Sequence, residues 1–154
     1  MENVWDYPRP PRLEPCDRPV EIHLGGERIA ASDRALRVLE TSHPPTVYVP
    51  LADFVPGALV PSRARQTLCE FKGAASYYDV HGGGQVEEAA AWFYPEPVAA
   101  FAALKDHVAV YPGRMGRCVL GGEEVQAQEG DFYGGWITSG IEGPFKGGPG
   151  TRGW

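Results

Sequence analysis

The sequence predicts a mainly β protein of short antiparallel strands, with one short helix and an extended strap at each end. Three observations carry the prediction. Gly (20) and Pro (15) together exceed a fifth of the 154 residues, the composition of a chain that turns often. Apolar and polar residues alternate over many short segments, as in half-buried strands. A single segment, 96–105, spaces apolar residues for a helix, with Val98, Phe101 and Leu104 three apart and Pro97 near the start.

Residues 1–19 contain Pro8, Pro10, Pro11, Pro15 and Pro19. Proline lacks the N–H that helices and central strands need, so this stretch reads as a strap anchored by Trp5 and Tyr7. Val20, Ile22 and Leu24 then alternate up to Gly25-Gly26, which reads as a hairpin because paired glycines accept positive φ. Leu120-Gly121-Gly122-Glu123 echoes Leu24-Gly25-Gly26-Glu27 and predicts a second hairpin, a recurrence of turn chemistry more than a duplication. Strands are expected at 35–39, 46–49, 67–71, 75–80, 90–94 and 106–111, with a loop and helical turn at 51–59 and a turn at Gly82-Gly83-Gly84. The last 25 residues hold nine glycines but also Phe132, Tyr133, Trp136, Ile137, Ile141, Phe145 and Trp154. So many apolar side chains predict an ordered wrap rather than a free tail. The organisation expected is a single domain over 1–154: strap 1–19, β core 20–129, wrap 130–154.

A 43% apolar and 22% charged chain is globular in character. Its net charge of −6 and pI near 5.2, without a basic run, argue against nucleic acid as partner. No stretch resembles a membrane span or a signal peptide. Cys16, Cys69 and Cys118 are an odd number without C-x-x-C, which suggests reduced thiols and a cytoplasmic protein, monomeric or homodimeric. Four scattered histidines predict no metal site. P-loop, dinucleotide-fold and nucleophile-elbow signatures are missing, so no cofactor is expected.

The segments TLCEFKGAASYY (67–78), AWFYPEP (91–97), DHVAVYPGRM (106–115), RALRVLETSHPP (34–45) and the ending from Tyr133 to Trp154 resemble the bacterial DUF427 family. The resemblance implies a β-tent fold similar to the Mss4-like group. It also brings a nucleotidyltransferase-like label, but this chain has no acidic Mg²⁺ cluster beside a Gly-Ser pair to support one. Zinc-binding relatives in that group use paired C-x-x-C knuckles, which this sequence lacks, so the metal does not transfer.

Segment 67–78 is the foremost candidate site. On a continuous strand Glu70 and Lys72 share one face, with Cys69 and Phe71 on the other. Gly73 marks a break or a close approach, and Tyr77 and Tyr78 point opposite ways, one to the core and one to a pocket. Lys72 is read either as a holder of a carboxylate or phosphate or as a solvated lysine snorkelling over apolar surface. If desolvated it could serve as a base or Schiff-base nucleophile. Cys69 reads as a packing residue. Arg34, Leu36, Val38 and Glu40 share a face, so Arg34 and Glu40 must find structural partners or a ligand. Tyr94 beside Pro95 could rim a pocket, and His107 shares a face with Ala109 and Tyr111. His43 before Pro44-Pro45 is a loop histidine of little weight in isolation. Lys146 and Arg152 sit in a glycine-rich tail that could form an anion nest.

The expected function is small-molecule binding, of an anionic or nucleotide-like ligand, in a pocket lined by Arg34, Glu40, Lys72, Tyr77, Tyr94 and His107. The alternatives are an enzyme with Lys72 or Glu40 as acid–base and Tyr77 as a further catalytic candidate, or a protein-interaction module.

Overall fold

The computed structural model describes residues 1–69, 71–130 and 133–154. The face assigned above to Glu70 and the packing role of Phe132 lie outside the described residues. The fold is mainly β, with antiparallel sheets and helical structure limited to short 3₁₀ segments. The largest sheet runs Arg12–Pro15, Leu36–Leu39, Thr46–Pro50, His107–Val110, Gln85–Phe93, Gly73–Gly82 and Leu59–Pro61, and Thr67–Cys69 also pairs with Gly73–Gly82. A second sheet runs Glu123–Glu124, Arg117–Leu120, Val20–Leu24 and Glu27–Ser32. The two Leu-Gly-Gly-Glu hairpins therefore lie in one sheet, on neighbouring strands.

The alternation read from the sequence has a structural reason, because the large sheet is covered on both faces. Val47, Val49, Val80, Ala91, Val108 and Val110 point toward the small sheet and meet Ile22, Leu24, Ile29, Cys118 and Leu120 in the main core. Their strand neighbours Tyr48, Tyr77, Trp92, Tyr94, Ala109 and Tyr111 point the other way, into a second, aromatic cluster. In that cluster Trp92 faces Ala109 on one side and Tyr77 on the other, while Leu36 faces Tyr48.

Several predicted elements differ. The strand expected at 67–71 stops at Cys69, and a tight turn leads directly into Gly73–Gly82, so Lys72 belongs to a hairpin turn. Gly73 sits at φ +118°, where a Cβ would crowd the Glu96 carbonyl at 3.2 Å. The expected helix at 96–105 is a 3₁₀ segment, Ala99–Leu104, interrupted at Phe101 by non-helical backbone. Phe101 and Leu104 are nevertheless buried against the aromatic face. The strand at 90–94 is longer, Gln85–Phe93, with a bulge between Glu87 and Ala91 where the Asp79 carboxylate accepts the Ala89 N–H at 2.8 Å. Within the proline-rich strap, Arg12–Pro15 joins the large sheet as an edge strand, a position that tolerates proline.

Both ends of the chain hold each other. Glu2–Asn3 pairs in parallel with Ile141–Glu142, and the Trp5 indole donates to the Pro144 carbonyl at 2.8 Å. Trp5 also meets Trp154 edge to face, with ring centres 5.2 Å apart. Arg37 is clamped between Glu2 and Glu14. Burial and the carboxylate of Glu2 hold the Tyr7 phenol well above its ordinary range, keeping it a neutral donor.

Turns Gly25-Gly26 and Gly83-Gly84 have positive φ at both positions, the tight hairpin geometry. They also meet each other: a methyl at Gly83 would overlap the Gly25 carbonyl, whereas one at Gly84 meets nothing within 4 Å. Gly83→Ala should therefore cost at least about 2 kcal/mol, combining backbone strain with a backbone clash, and Gly84→Ala only about 1 kcal/mol. Urea unfolding of the two variants measures the difference; equal losses would show that the turns do not lock together.

Candidate functional site

Over the aromatic face lies a cavity of about 360 Å³, within the size range of small-molecule sites. Its floor is Tyr48, Trp92, Tyr94 and Tyr111 from the central strands. The hairpin 67–77 supplies Cys69, Lys72 and Tyr77, the corner after Leu39 supplies Glu40 and His43, and Gln128, just before the C-terminal wrap, joins Tyr133, Gly134 and Lys146 from it.

The floor rings are fixed by each other. Trp92 Nε1 donates to the Tyr48 hydroxyl at 3.3 Å, and the two rings meet edge to face. Burial, reinforced by the neighbouring Tyr48 phenol, raises the Tyr94 phenol far above its usual range, and burial raises Tyr48 likewise. Tyr111, desolvated beside Tyr77, is pushed up to about 12. These phenols are neutral at ordinary pH and serve as flat walls and weak donors, unsuited to act as bases. Tyr77 shares a hydrogen bond of 2.7 Å with Thr67 across the hairpin. Its sequence neighbour Tyr78 faces the main core and stacks on Phe93 at 4.4 Å.

Lys72 is 9% exposed. Its backbone carbonyl accepts the Val98 N–H at 3.0 Å, which pins the turn beneath the 3₁₀ segment. Its ammonium lies 5.9 Å from the centre of the Phe101 ring, a cation–π contact. Among the described residues it forms no ion pair or hydrogen bond. The residue is largely buried, but its ammonium opens on the cavity without a counter-charge among the described residues, which singles out this lysine in the wall. Cys69 lines the cavity on the same side, because the turn abolishes the strand alternation that would have separated the two.

At the opposite rim Glu40 is reached by Arg9 at 3.5 Å and by His43 Nε2 at 3.9 Å. His43 is mostly buried, its ring 5.3 Å from that of Tyr133, and Lys146 lies 5.8 Å above Tyr133. Burial pushes the His43 imidazole down to about 4; Glu40 opposes the shift, while Lys146, Arg9 and Lys72 add to it. Gln128, buried just before the wrap, accepts from Gly135 N and donates to the Lys146 carbonyl and to His43 Nδ1. Gly134 lies flat on the Trp92 indole, where a methyl would overlap the ring.

Of the six residues expected to line a pocket, Glu40, Lys72, Tyr77 and Tyr94 come together here. Arg34 and His107 lie elsewhere. Arg34 precedes the strand Leu36–Leu39 and turns outward to Asp53 at 2.8 Å, with Ser32 donating to the same carboxylate. His107 begins its strand and its Nδ1 rests 3.0 Å from the Lys105 carbonyl oxygen. The residues that sequence reasoning underrated are His43, Gln128 and Lys146, and the signal for His43 was its place in the RALRVLETSHPP segment. Among the described residues, no group of three or more His, Cys, Asp or Glu could hold a metal ion. No helix among them is long and apolar enough to cross a membrane.

His43 should leave a mark on pH dependence. Its folded value lies below its unfolded value near 6.5, so its contribution is complete above pH 6.5. It is lost as the pH falls toward about 4, because the unfolded chain takes up the proton first. Chemical denaturation of the wild type should show roughly 2–3 kcal/mol more loss between pH 6.5 and 4 than His43→Gln. Parallel pH profiles would refute the buried neutral imidazole.

No curated protein matches the chain. A family model described as a domain of unknown function, DUF427, matches residues 12–121, which includes the hairpin carrying Lys72, the aromatic floor and the Glu40–His43 corner. The chain belongs to the DUF427 family.

Proposed function

We propose that the protein binds a small organic anion whose carboxylate or phosphate group is carried on a flat ring. The observation that carries this reading is Lys72, a largely buried residue whose ammonium faces an aromatic cavity without a counter-charge among the described residues. An oxyanion entering the cavity supplies the missing charge, and in a site of low dielectric such a pair is far stronger than in water. Lys146 adds a second positive charge at the far rim, where Glu40 is already engaged by Arg9. Trp92, Tyr94 and Tyr111 offer ring faces against which a flat body can stack. A chain with a net charge of −6 that concentrates two lysines at one cavity attracts anions there against its overall field.

Benzoate, phenyl phosphate and the neutral isostere benzamide test the reading by thermal shift and calorimetry. The two anions should stabilise the wild type in a concentration-dependent way, with benzamide at least tenfold weaker. Lys72→Met should leave the unliganded stability within about 1 kcal/mol of the wild type, because an apolar side chain of similar length keeps the stem packing. The same change should remove the preference for anions. Equal binding of benzamide and benzoate, or an anion preference that survives in Lys72→Met, would overturn the assignment.

A further inference from the structure

The Gln128 amide has its orientation set by chemistry. Its Oε1 accepts the Gly135 N–H at 3.1 Å, and its Nε2 donates to the Lys146 carbonyl at 2.7 Å. Flipping the amide would set N–H against N–H and oxygen against oxygen, losing two hydrogen bonds in a buried place. The second N–H on Nε2 is therefore the one 3.2 Å from His43 Nδ1. A nitrogen that faces a fixed N–H donor must present its lone pair, so in the neutral ring the proton resides on Nε2.

We propose that Gln128 is a positioning residue that holds His43 as a neutral Nε2–H donor at the cavity rim, so that His43 meets the anion as a hydrogen-bond donor and cannot act as a base. Nδ1 is capped by Gln128, and Nε2 carries the proton on the side of the ring nearest Glu40, at 3.9 Å. Forming the imidazolium would put an N–H on Nδ1 directly against the Gln128 N–H. The charged groups around the ring are Glu40 from the corner, Arg9 from the N-terminal strap, Lys72 from the hairpin turn and Lys146 from the wrap. The three cations outnumber the carboxylate, which works in the same direction. The cavity then presents two ammoniums and one neutral N–H donor to an oxyanion, and the histidine adds no charge that varies with pH. The role of His43 toward a ligand rests on the anion-binding reading above; its tautomer does not.

The test uses the full chain with ¹⁵N-labelled histidine and two-bond ¹H–¹⁵N spectra, without ligand. Wild-type His43 should be in the Nε2–H form at pH 7 and remain neutral down to about pH 5. In Gln128→Glu the new carboxylate accepts from Nδ1, so the ring should switch to Nδ1–H and its titration midpoint should rise by at least one pH unit. In Gln128→Met, which removes the donor without adding charge, a tautomer mixture should appear. An Nδ1–H ring in the wild type, or unchanged tautomer and midpoint in both variants, overturns the proposal. Calorimetry with benzoate supplies the second arm. Wild-type affinity should vary less than threefold between pH 5.5 and 8, and Gln128→Glu should lose that flatness. If the spectra agree but benzoate does not bind, the anion reading fails and the tautomer assignment stands.

Discussion

A largely buried lysine whose ammonium faces the cavity without a counter-charge among the described residues is the constraint around which the rest of this structure is arranged. Lys72 could not sit on a continuous strand without taking one face or the other of a sheet covered on both. The turn between Cys69 and Gly73 removes it from the ladder and swings it over the aromatic floor. Gly73 makes that turn possible at a φ closed to most residues, close against the Glu96 carbonyl. The Val98 N–H then fixes the turn from the other side. Every element near Lys72 thus holds a positive charge without a partner at the cavity wall. That placement is the physical ground for assigning the cavity to a ligand.

The two-faced sheet supplies the second half of the account. One face closes the main core against the small sheet and carries most of the buried aliphatic surface. The other is released from that duty and can hold tyrosines and a tryptophan, with Trp92 bonded to Tyr48 and Tyr77 to Thr67. Such a floor is rigid without being charged, because burial keeps its phenols neutral. The C-terminal wrap closes the cavity through Gly134 on Trp92 and through the Gln128 amide. One glutamine side chain therefore joins the wrap, the Lys146 backbone and His43, and couples the tail to the electrostatics of the site.

Period-two reasoning reached much of this. It separated Tyr77 from Tyr78 and grouped Glu40 with Val38, which line the cavity together, because strand alternation is local geometry. It failed where a strand ended. Arg34 lies before the strand that carries Leu36 and Val38 and does not inherit its face, and His107, at the first position of its strand, lies outside the cavity lining. Cys69 and Lys72 were separated by an alternation that the turn cancels. His43, Gln128 and Lys146 were beyond such reasoning for a different reason. Gln128 meets His43 across a sequence separation of 85, a contact set by how the wrap crosses the sheet. The DUF427 resemblance extends to the segments that carry His43 and Lys146, leaves out Gln128, and names no role for any of the three.

The most direct test of the central claim is a crystal of the protein soaked in 4-bromobenzoate, with the bromine located by anomalous scattering. The account predicts a bromine peak above the aromatic floor near Trp92 and Tyr94, with the carboxylate within hydrogen-bond distance of Lys72 Nζ and no such peak in Lys72→Met. A bromine held elsewhere, or a ring in the cavity with its carboxylate turned away from Lys72, would contradict it.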